Sequence, residues 1–364
     1  MTGNFNLDAL YKEALIEAFR ERGHVNILIA GRTGVGKSTL INAIFQGNMA
    51  ETGQGRPVTQ KTQELCKPGI PLCIFDTRGL EMRDFSETLN DLLSFVSARN
   101  KDRDANKHIH VAWICIAEDS RRVEPAEEQL VNILDNHVPV VAVITKARAD
   151  QGFSDKVKEL LPLAKNVIRI RAIQEELDEG QILDPMNLKA LVDLTKDLVP
   201  EGQRRAFIAA QKVDIELKKS NSRAIMATAV ASATAIAAAP IPFSEATVVV
   251  PIQIAMIAGI TATFGLSFNE SLLSSILASV AAGAGSTLAE YAIVTGLLKF
   301  IPGIGSVAGG VIAATAAAAM TTAFGEAYIA ALELLFTRNQ GEPPTATEVS
   351  EVFKQEYSRR TSAR

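Results

Sequence analysis

The chain has 364 residues, 37 Lys and Arg against 41 Asp and Glu for a net charge of −4, and a hydrophobic content of 47%. That length suffices for two domains and a sizeable core without a stapling metal or disulfide. The mixed charge excludes a nucleic-acid binder that relies on bulk positive charge.

In chain order, Leu7 to Arg22 places Leu7, Leu10, Tyr11, Leu15 and Phe19 on one face, and Gly23 supplies a stop. This predicts an amphipathic helix ahead of the first strand, with the C-terminal region as a packing partner. The polar, helical start does not read as a signal peptide. The apolar run Val25 to Ala30 predicts a buried strand. It leads into Gly31-Arg32-Thr33-Gly34-Val35-Gly36-Lys37-Ser38, which satisfies Gly-x4-Gly-Lys-Ser/Thr, and then into the helix-compatible stretch Thr39 to Gln46. Strand, glycine-rich turn and helix in that order read as a P-loop. Its glycines let backbone N–H groups cradle phosphate oxygens, Lys37 reaches the β/γ-phosphates, and the Ser38 hydroxyl ligates Mg²⁺ at a helix N-terminus.

The polar stretch Gly47 to Lys61 stands where a nucleotide-sensing loop belongs. Thr59 is the candidate to close over Mg²⁺ and the γ-phosphate, with Thr62 as its rival. Thr62 to Lys67 and Leu72 to Phe75, joined by Pro68-Gly69, read as a strand pair that ends at Asp76-Thr77-Arg78-Gly79. There Asp76 can hold a Mg²⁺ water and the Gly79 N–H can sense the γ-phosphate. Helices over Glu81 to Ser97 and Pro125 to Leu134 alternate with strands over His110 to Ala117, Val138 to Ile144 and Val167 to Ile170. That alternation predicts an α/β domain, a mostly parallel sheet covered on both faces. Val138 to Ile144 delivers Thr145-Lys146-Ala147-Arg148, and the last strand ends near Arg171-Ala172. His24, His108, His110, His137 and Trp113 read as structural. Cys66, Cys73 and Cys115 lack paired metal spacing and read as reduced thiols of a cytosol-facing protein.

Taken together, the P-loop, Thr59, Asp76-Thr77-Arg78-Gly79 and Thr145-Lys146 resemble the ordered motifs of an Era-like, translation-factor-class GTPase, with similarity also to the immunity-related GTPases. Over about residues 20 to 200 the resemblance implies a Ras-like P-loop fold, GTP or GDP with Mg²⁺, and two switch regions around Thr59 and Gly79. It implies a nucleotide site of Gly31, Arg32, Thr33, Gly34, Val35, Gly36, Lys37, Ser38, Thr39, Asp76, Gly79, Thr145, Lys146 and Ala172, and metal ligation by Ser38, Thr59 and Asp76. Two departures stand out. The family's Asn/Thr-Lys-x-Asp places a guanine-reading Asp where this chain has Arg148, with Asp150 two residues on, so guanine selectivity loses its principal acceptor unless Asp150 substitutes, and ATP use is an alternative. Leu80 follows Gly79 where Ras-type enzymes hold a water-orienting Gln. Slow intrinsic turnover is therefore expected, with the missing function supplied by Arg32, by Arg78, by an external activator or by a second protomer across the nucleotide face.

From Ala224 to Gly325 only Glu245, Glu270, Glu290 and Lys299 interrupt a tract of Ala, Gly, Ser, Thr and Ile. Its uncharged windows, Ala224 to Ser244, Ala246 to Asn269, Ser271 to Ala289 and Phe300 to Gly325, are each long enough to cross a bilayer, although only the second is densely apolar. Pro240-Ile241-Pro242-Phe243, Pro251 to Ile257 and Ile301-Pro302-Gly303-Ile304-Gly305 resemble a membrane-associated domain of unknown function appended to Era-like bacterial GTPases. Phe243-Ser244-Glu245 stands where that family usually has Phe-Ala-Asp. The resemblance implies an all-α, Ala/Gly-rich helical domain at a membrane; small residues equally suit a tightly packed bundle. Lys218, Lys219, Arg223, Arg338, Arg359 and Arg360 would keep both ends on the cytoplasmic face. The expected division is an N-terminal helix over 1–23, a GTPase domain over 24–200, a linker helix over 201–223, an apolar helical domain over 224–337 and a polar tail over 338–364. The expected activity is a nucleotide-driven switch with guanine nucleotide and a membrane as partners, a second copy across the nucleotide face as a further candidate and no nucleic acid; the alternatives are a soluble dimerising GTPase whose helical domain binds a protein, and a low-turnover nucleotide-binding module.

Overall fold

The computed structural model describes residues 7–50, 56–57, 62–77, 85–178, 180–238, 245–266, 276 and 310–362. They form two compact units, one of Gly23–Asp214 and one of Met1–Arg22 together with Ile215–Arg364.

In the first unit, β1 (Val25–Ala30), β4 (Leu72–Thr77), β5 (Val111–Ala117) and β6 (Val140–Thr145) are buried along their whole length. Strands covered on both faces have no solvent side, so they read as unbroken apolar runs. With β2 (Arg56–Pro57), β3 (Thr62–Cys66) and β7 (Asn166–Arg169) they make a seven-stranded sheet in the order β2-β3-β4-β1-β5-β6-β7. The five strands from β4 to β7 in that order run parallel, and β3 runs antiparallel to both β2 and β4. Side chains alternate between the two faces. Leu28, Ala30, Phe75, Ile114, Ile116 and Ile144 pack beneath α3 (Phe85–Asn100), α4 (Pro125–Leu134) and α5 (Phe153–Leu160). On the other face Trp113 stacks on Phe45 at 5.8 Å and donates to Thr195 Oγ1 at 3.2 Å, so it is core, as expected. That face carries α2 (Lys37–Ile44), α6 (Leu188–Leu198) and α7 (Glu201–Ala210). This is the Ras-like P-loop fold, and the region that follows is largely helical.

The histidine reading also holds at the two positions on the approach to β5. Asn26 N–H donates to His110 Nδ1 at 2.9 Å while the other ring nitrogen meets Ala105 O at 3.0 Å, and burial lowers the His110 pKa. His108 Nε2 meets Asp102 O at 2.7 Å. The cysteine reading is corrected. Cys66 and Cys73 stand opposite one another across β3 and β4, with Cα atoms 4.5 Å apart, and are joined in a disulfide, leaving Cys115 as a buried free thiol. Directly opposed positions on paired strands meet the Cα spacing a disulfide needs; sequence spacing could not show that opposition.

The expected linker helix is two helices. Between α7 and α8 (Ile215–Ala238), the buried Gln211 side chain donates to Asp214 O at 2.9 Å and accepts from Asp214 N–H at 2.8 Å. Lys212 N–H donates to Ile44 O at 2.8 Å, at the end of α2. These bonds offer the backbone an alternative to a continuing helix, and the chain turns.

The second unit consists of α1 (Leu7–Arg22), α8, α9 (Glu245–Phe264), α10 (Gly310–Arg338) and α11 (Ala346–Ser362) among the described residues. Tyr11 and Leu15 of α1 join Met256, Ile260 and Phe264 of α9, Phe324, Tyr328 and Phe336 of α10, and Phe353 and Tyr357 of α11 in one core. A Cβ on Gly325 would lie 2.7 Å from Met226 Sδ, so this glycine permits the close approach of α8 and α10. Two buried cations sit at the C-terminal end of α9, where backbone carbonyls carry partial negative charge. Arg22 donates to Ala262 O at 3.3 Å and Lys218 to Phe264 O at 3.2 Å; burial pushes the Arg22 pKa down to about 9 and that of Lys218 down as well.

Among the described residues one stretch is long and apolar enough to cross a bilayer, Ala317–Arg338, and 56% of an 18-residue window within it is buried. Residues 300–309 of the expected window Phe300 to Gly325 lie outside the described residues. Lys219 pairs with Glu216 and Glu333, Arg223 with Glu326, and Arg359 and Arg360 with Glu356, so these flanking cations serve helix-to-helix and intrahelical ion pairs. Pro240 to Phe243, Ser244 and Ile301 to Gly305 lie outside the described residues.

Candidate functional site

β1 ends against β5, and the turn that follows lies directly on the sheet. A Cβ on Gly31 would stand 2.5 Å from Cys115 O, and Gly31, Gly34 and Gly36 all have positive φ, at 152°, 78° and 96°. Glycine adopts such backbone freely, and the turn leads into α2 with Gly36 as its cap. Lys37 Nζ folds back to donate to Gly31 O at 2.7 Å and Arg32 O at 3.3 Å, and stands 3.9 Å from the buried Asp76 carboxylate at the end of β4. Thr145, at the end of β6, donates to Val35 O at 2.5 Å and so fastens the turn from a second strand. Ser38 and Thr39 are exposed on the first turn of α2. The phosphate-cradling turn, the lysine, the hydroxyl and the acid are thus gathered at the carboxyl ends of β1 and β4, a donor set that fits a triphosphate with a hard cation such as Mg²⁺. Thr59, Arg78, Gly79 and Leu80 lie outside the described residues; Thr62, the rival of Thr59, is buried at the start of β3.

Two adjoining cavities flank the turn. One is lined by Arg32, Thr33, Gly34, Val35, Asp119 and Lys146, among others, with Glu124 and Glu127 on its far wall. Arg32 reaches Glu124 at 3.1 Å. Glu124 and Glu127 form a capping box at the start of α4, with Pro125 in the first turn, and Glu127 accepts from Glu124 N–H at 2.9 Å. Burial pushes the Glu127 pKa up to about 7.

The other cavity, of about 300 Å³, lies between α2 and the exits of β6 and β7; Thr39, Leu40, Lys146, Arg148, Ala172 and Glu175 line it. Lys146 takes a left-handed φ of 54°. The neighbouring backbone is held by Ala147 N–H to Ile170 O at 3.1 Å and Arg148 N–H to Glu118 Oε1 at 2.6 Å. Glu118 is itself buried and receives Arg169 at 2.6 Å; burial opposes its ionisation, but these donors hold its pKa below the ordinary range. Asp150, the alternative base-reading acid, is turned to other work. It accepts from Ser154 N–H at 2.9 Å and Ser154 Oγ at 2.7 Å and pairs with Arg169 at 3.3 Å, and it does not line this cavity. Arg148 instead grips Glu175, with Nε to Oε2 at 2.9 Å and Nη2 to Oε1. Sequence reasoning passed over Glu118 and Glu175. The acid two residues before the 3-10 turn ends at Ser120 carries no motif, and Glu175 enters the site on a short hairpin, β8 (Glu175–Glu176) with β9 (Ile182–Leu183).

A phosphate-cradling turn between a buried parallel strand and a helix, with a lysine and a strand-end acid beside it, defines a P-loop GTPase domain. The sequence comparisons agree: residues 26–146 match the family described as 50S ribosome-binding GTPase, and residues 202–359 match a domain of unknown function, DUF697. The chain thus carries a GTP-binding P-loop GTPase domain followed by a DUF697 domain. Its relatives include magnetosome membrane protein 22 of Magnetospirillum gryphiswaldense, 36% identical over 25% of this chain and 46% of that protein. The tRNA modification GTPase MnmE of Endomicrobium trichonymphae is 28% identical over 49% of this chain and 42% of that one. Septin-1 of Rattus norvegicus is 25% identical over 43% and 46%. The chain spans less than half the length of each of these relatives.

The Glu127 environment sets a pH dependence. Its folded pKa of about 7 lies above its ordinary value of 4.5, so the fold favours the protonated acid. That stabilisation is present in full below 4.5 and is lost as pH rises through 7. Glu127→Gln keeps an acceptor for the cap and removes the proton equilibrium. Urea unfolding should therefore show wild type losing up to about 3 kcal/mol relative to Glu127→Gln between the two pH limits, with Gln the more stable at alkaline pH.

Proposed function

We propose that this protein is a nucleotide-driven switch: GTP and Mg²⁺ order the loops at Thr59 and Gly79, and the change passes to the helical unit, which associates with a membrane. The observation that carries the reading is the gathering of Lys37, Ser38, Asp76 and the Gly31 to Gly36 turn at the carboxyl ends of β1 and β4, with Thr145 fastening the turn. Ser38 and Asp76, with Thr59, would hold Mg²⁺, which when bound neutralises charge between the β- and γ-phosphates. Lys146 and Ala172 line the cavity that suits the base. The chain passes between the two units twice, at Gly23 just before β1 and at Asp214 just after α7, so loop ordering has two covalent routes to the helices. Membrane association is supported by the DUF697 resemblance and by the printed name of the magnetosome relative.

Lys37→Ala tests the foundation. Guanine-nucleotide affinity should fall about 10- to 100-fold, as loss of charge-assisted hydrogen bonds to phosphate predicts; unchanged affinity in a displacement titration refutes the reading. Hydrolysis is slow by itself, because apolar Leu80 cannot orient the attacking water, and a second protomer supplies what is missing. Single-turnover rates should then climb with protein concentration; a flat profile removes the second protomer from the scheme.

The burial of over half of an 18-residue window within Ala317–Arg338 favours a second reading, in which the helical unit grips a protein partner. Flotation of the full chain with anionic liposomes separates the two: co-flotation in at least one nucleotide state supports the membrane, and failure in every state supports the protein partner.

A further inference from the structure

A carboxylate faces the base cavity from a place that no motif marks. On the guanine-nucleotide reading above, we infer that Glu175 is the residue that selects guanine, accepting from its N1–H and N2–H₂ edge, and that Arg148 is the positioning residue that aims it.

The chemistry is one of donors and acceptors. Guanine offers two N–H donors side by side, whereas adenine offers a ring-nitrogen acceptor beside its amine. An ionised carboxylate accepts only, so it welcomes the first edge and repels the second. Two carboxylates line the cavity, Asp119 and Glu175. Asp119 also borders the cavity beside Arg32, Thr33 and Gly34 of the phosphate turn. Glu175 borders the base cavity and not the one beside the phosphate turn, as befits a group that meets the far edge of the ring. Leu40, Ile170 and Ile173 supply apolar walls for a flat heterocycle.

The hairpin and Arg148 hold Glu175 in place. Glu175 is paired in register with Leu183, and the segment before it is fixed by Arg171 Nη1 to Asp184 O at 2.5 Å and Gln174 Nε2 to Asp184 Oδ1 at 3.0 Å. The Arg148 guanidinium takes one lone pair on each Glu175 oxygen and leaves a second on each, since a carboxylate offers about four acceptor positions. Arg148 also keeps the Glu175 carboxyl below its ordinary pKa, so the acceptor stays charged at neutral pH. The arginine that displaced the family's base-reading aspartate thus organises a replacement from another loop.

The test is displacement of a fluorescent GDP analogue from the full chain in Mg²⁺ buffer by GDP, ADP and xanthosine diphosphate. Wild type should prefer GDP to ADP. Glu175→Gln should weaken GDP by at least about tenfold, leave ADP within about threefold, and strengthen xanthosine diphosphate, because the amide donates to the 2-oxo group that replaces the guanine amine. Glu175→Asp, which keeps the carboxylate, should retain the GDP preference, and it serves with circular dichroism as the folding control. Arg148→Gln should weaken GDP less than Glu175→Gln while keeping the order GDP over ADP. The inference is overturned if wild type prefers ADP, if Glu175→Gln keeps the wild-type preference, or if Asp119→Asn abolishes it instead. Absence of Lys37-dependent nucleotide binding in wild type would sink the broader reading; binding that is Lys37-dependent but indifferent to Glu175 sinks this one alone.

Discussion

The nucleotide-facing edge of the first unit depends on how closely the turn after β1 lies on β5. At Gly31 there is no room for a side chain, because the Cys115 carbonyl oxygen occupies the place a Cβ would take. That approach fixes the turn on the rigid sheet, and the rest follows from strands ending at the same level. β4 delivers Asp76 within 3.9 Å of Lys37, and β6 delivers Thr145 to the Val35 carbonyl. A phosphate site built in this way is preorganised, since its dipoles and charges are set by fully buried strands and do not wait for a ligand to order them.

Beyond the turn the site is governed by a chain of ion pairs with a different origin. Glu118, buried at the exit of β5, receives both the Arg148 amide and the Arg169 guanidinium. A buried acid must be satisfied by strong donors, and these two tie the loop after β6 to the strand beyond it. Arg148 is then free to turn its side chain outward to Glu175, while Asp150 is consumed in starting α5. Glu118, Arg148, Arg169 and Glu175 thus tie the segments that follow β5, β6 and β7 into one network.

The helical unit answers to packing. Small residues let α8 and α10 approach, as at Gly325, and aromatic rings from α10 and α11 fill the space between helices, with Phe324 and Phe353 centred 5.2 Å apart. Several cations that composition alone would assign to a lipid boundary have partners within the unit. Lys218 and Arg22 meet the carbonyl end of α9, where the helix dipole favours positive charge, and Lys219 links α8 to α10 through Glu333. An apolar, Ala-rich tract is thus compatible with a dense internal core as well as with a membrane surface.

The P-loop, the alternation of strands and helices from β1 to β6, the acid at the end of β4 and the change of composition near residue 223 were legible because each rests on local rules: glycine at positive φ, apolar runs in doubly covered strands, period and capping in helices. The start of α4 at Pro125 and the end of α1 at Arg22 could be placed to the residue for the same reason. Other features were decided only when distant segments met. Cys66 faces Cys73 because β3 and β4 pair in one register; α7 separates from α8 because Gln211 and Lys212 bond to groups outside a continuous helix; and Glu175 reaches the cavity beside Lys146 from a hairpin that Arg148 grips across 27 positions. Local propensity is written in neighbouring residues, whereas the partner of a charge is chosen by which side chains the completed fold brings within a few ångströms.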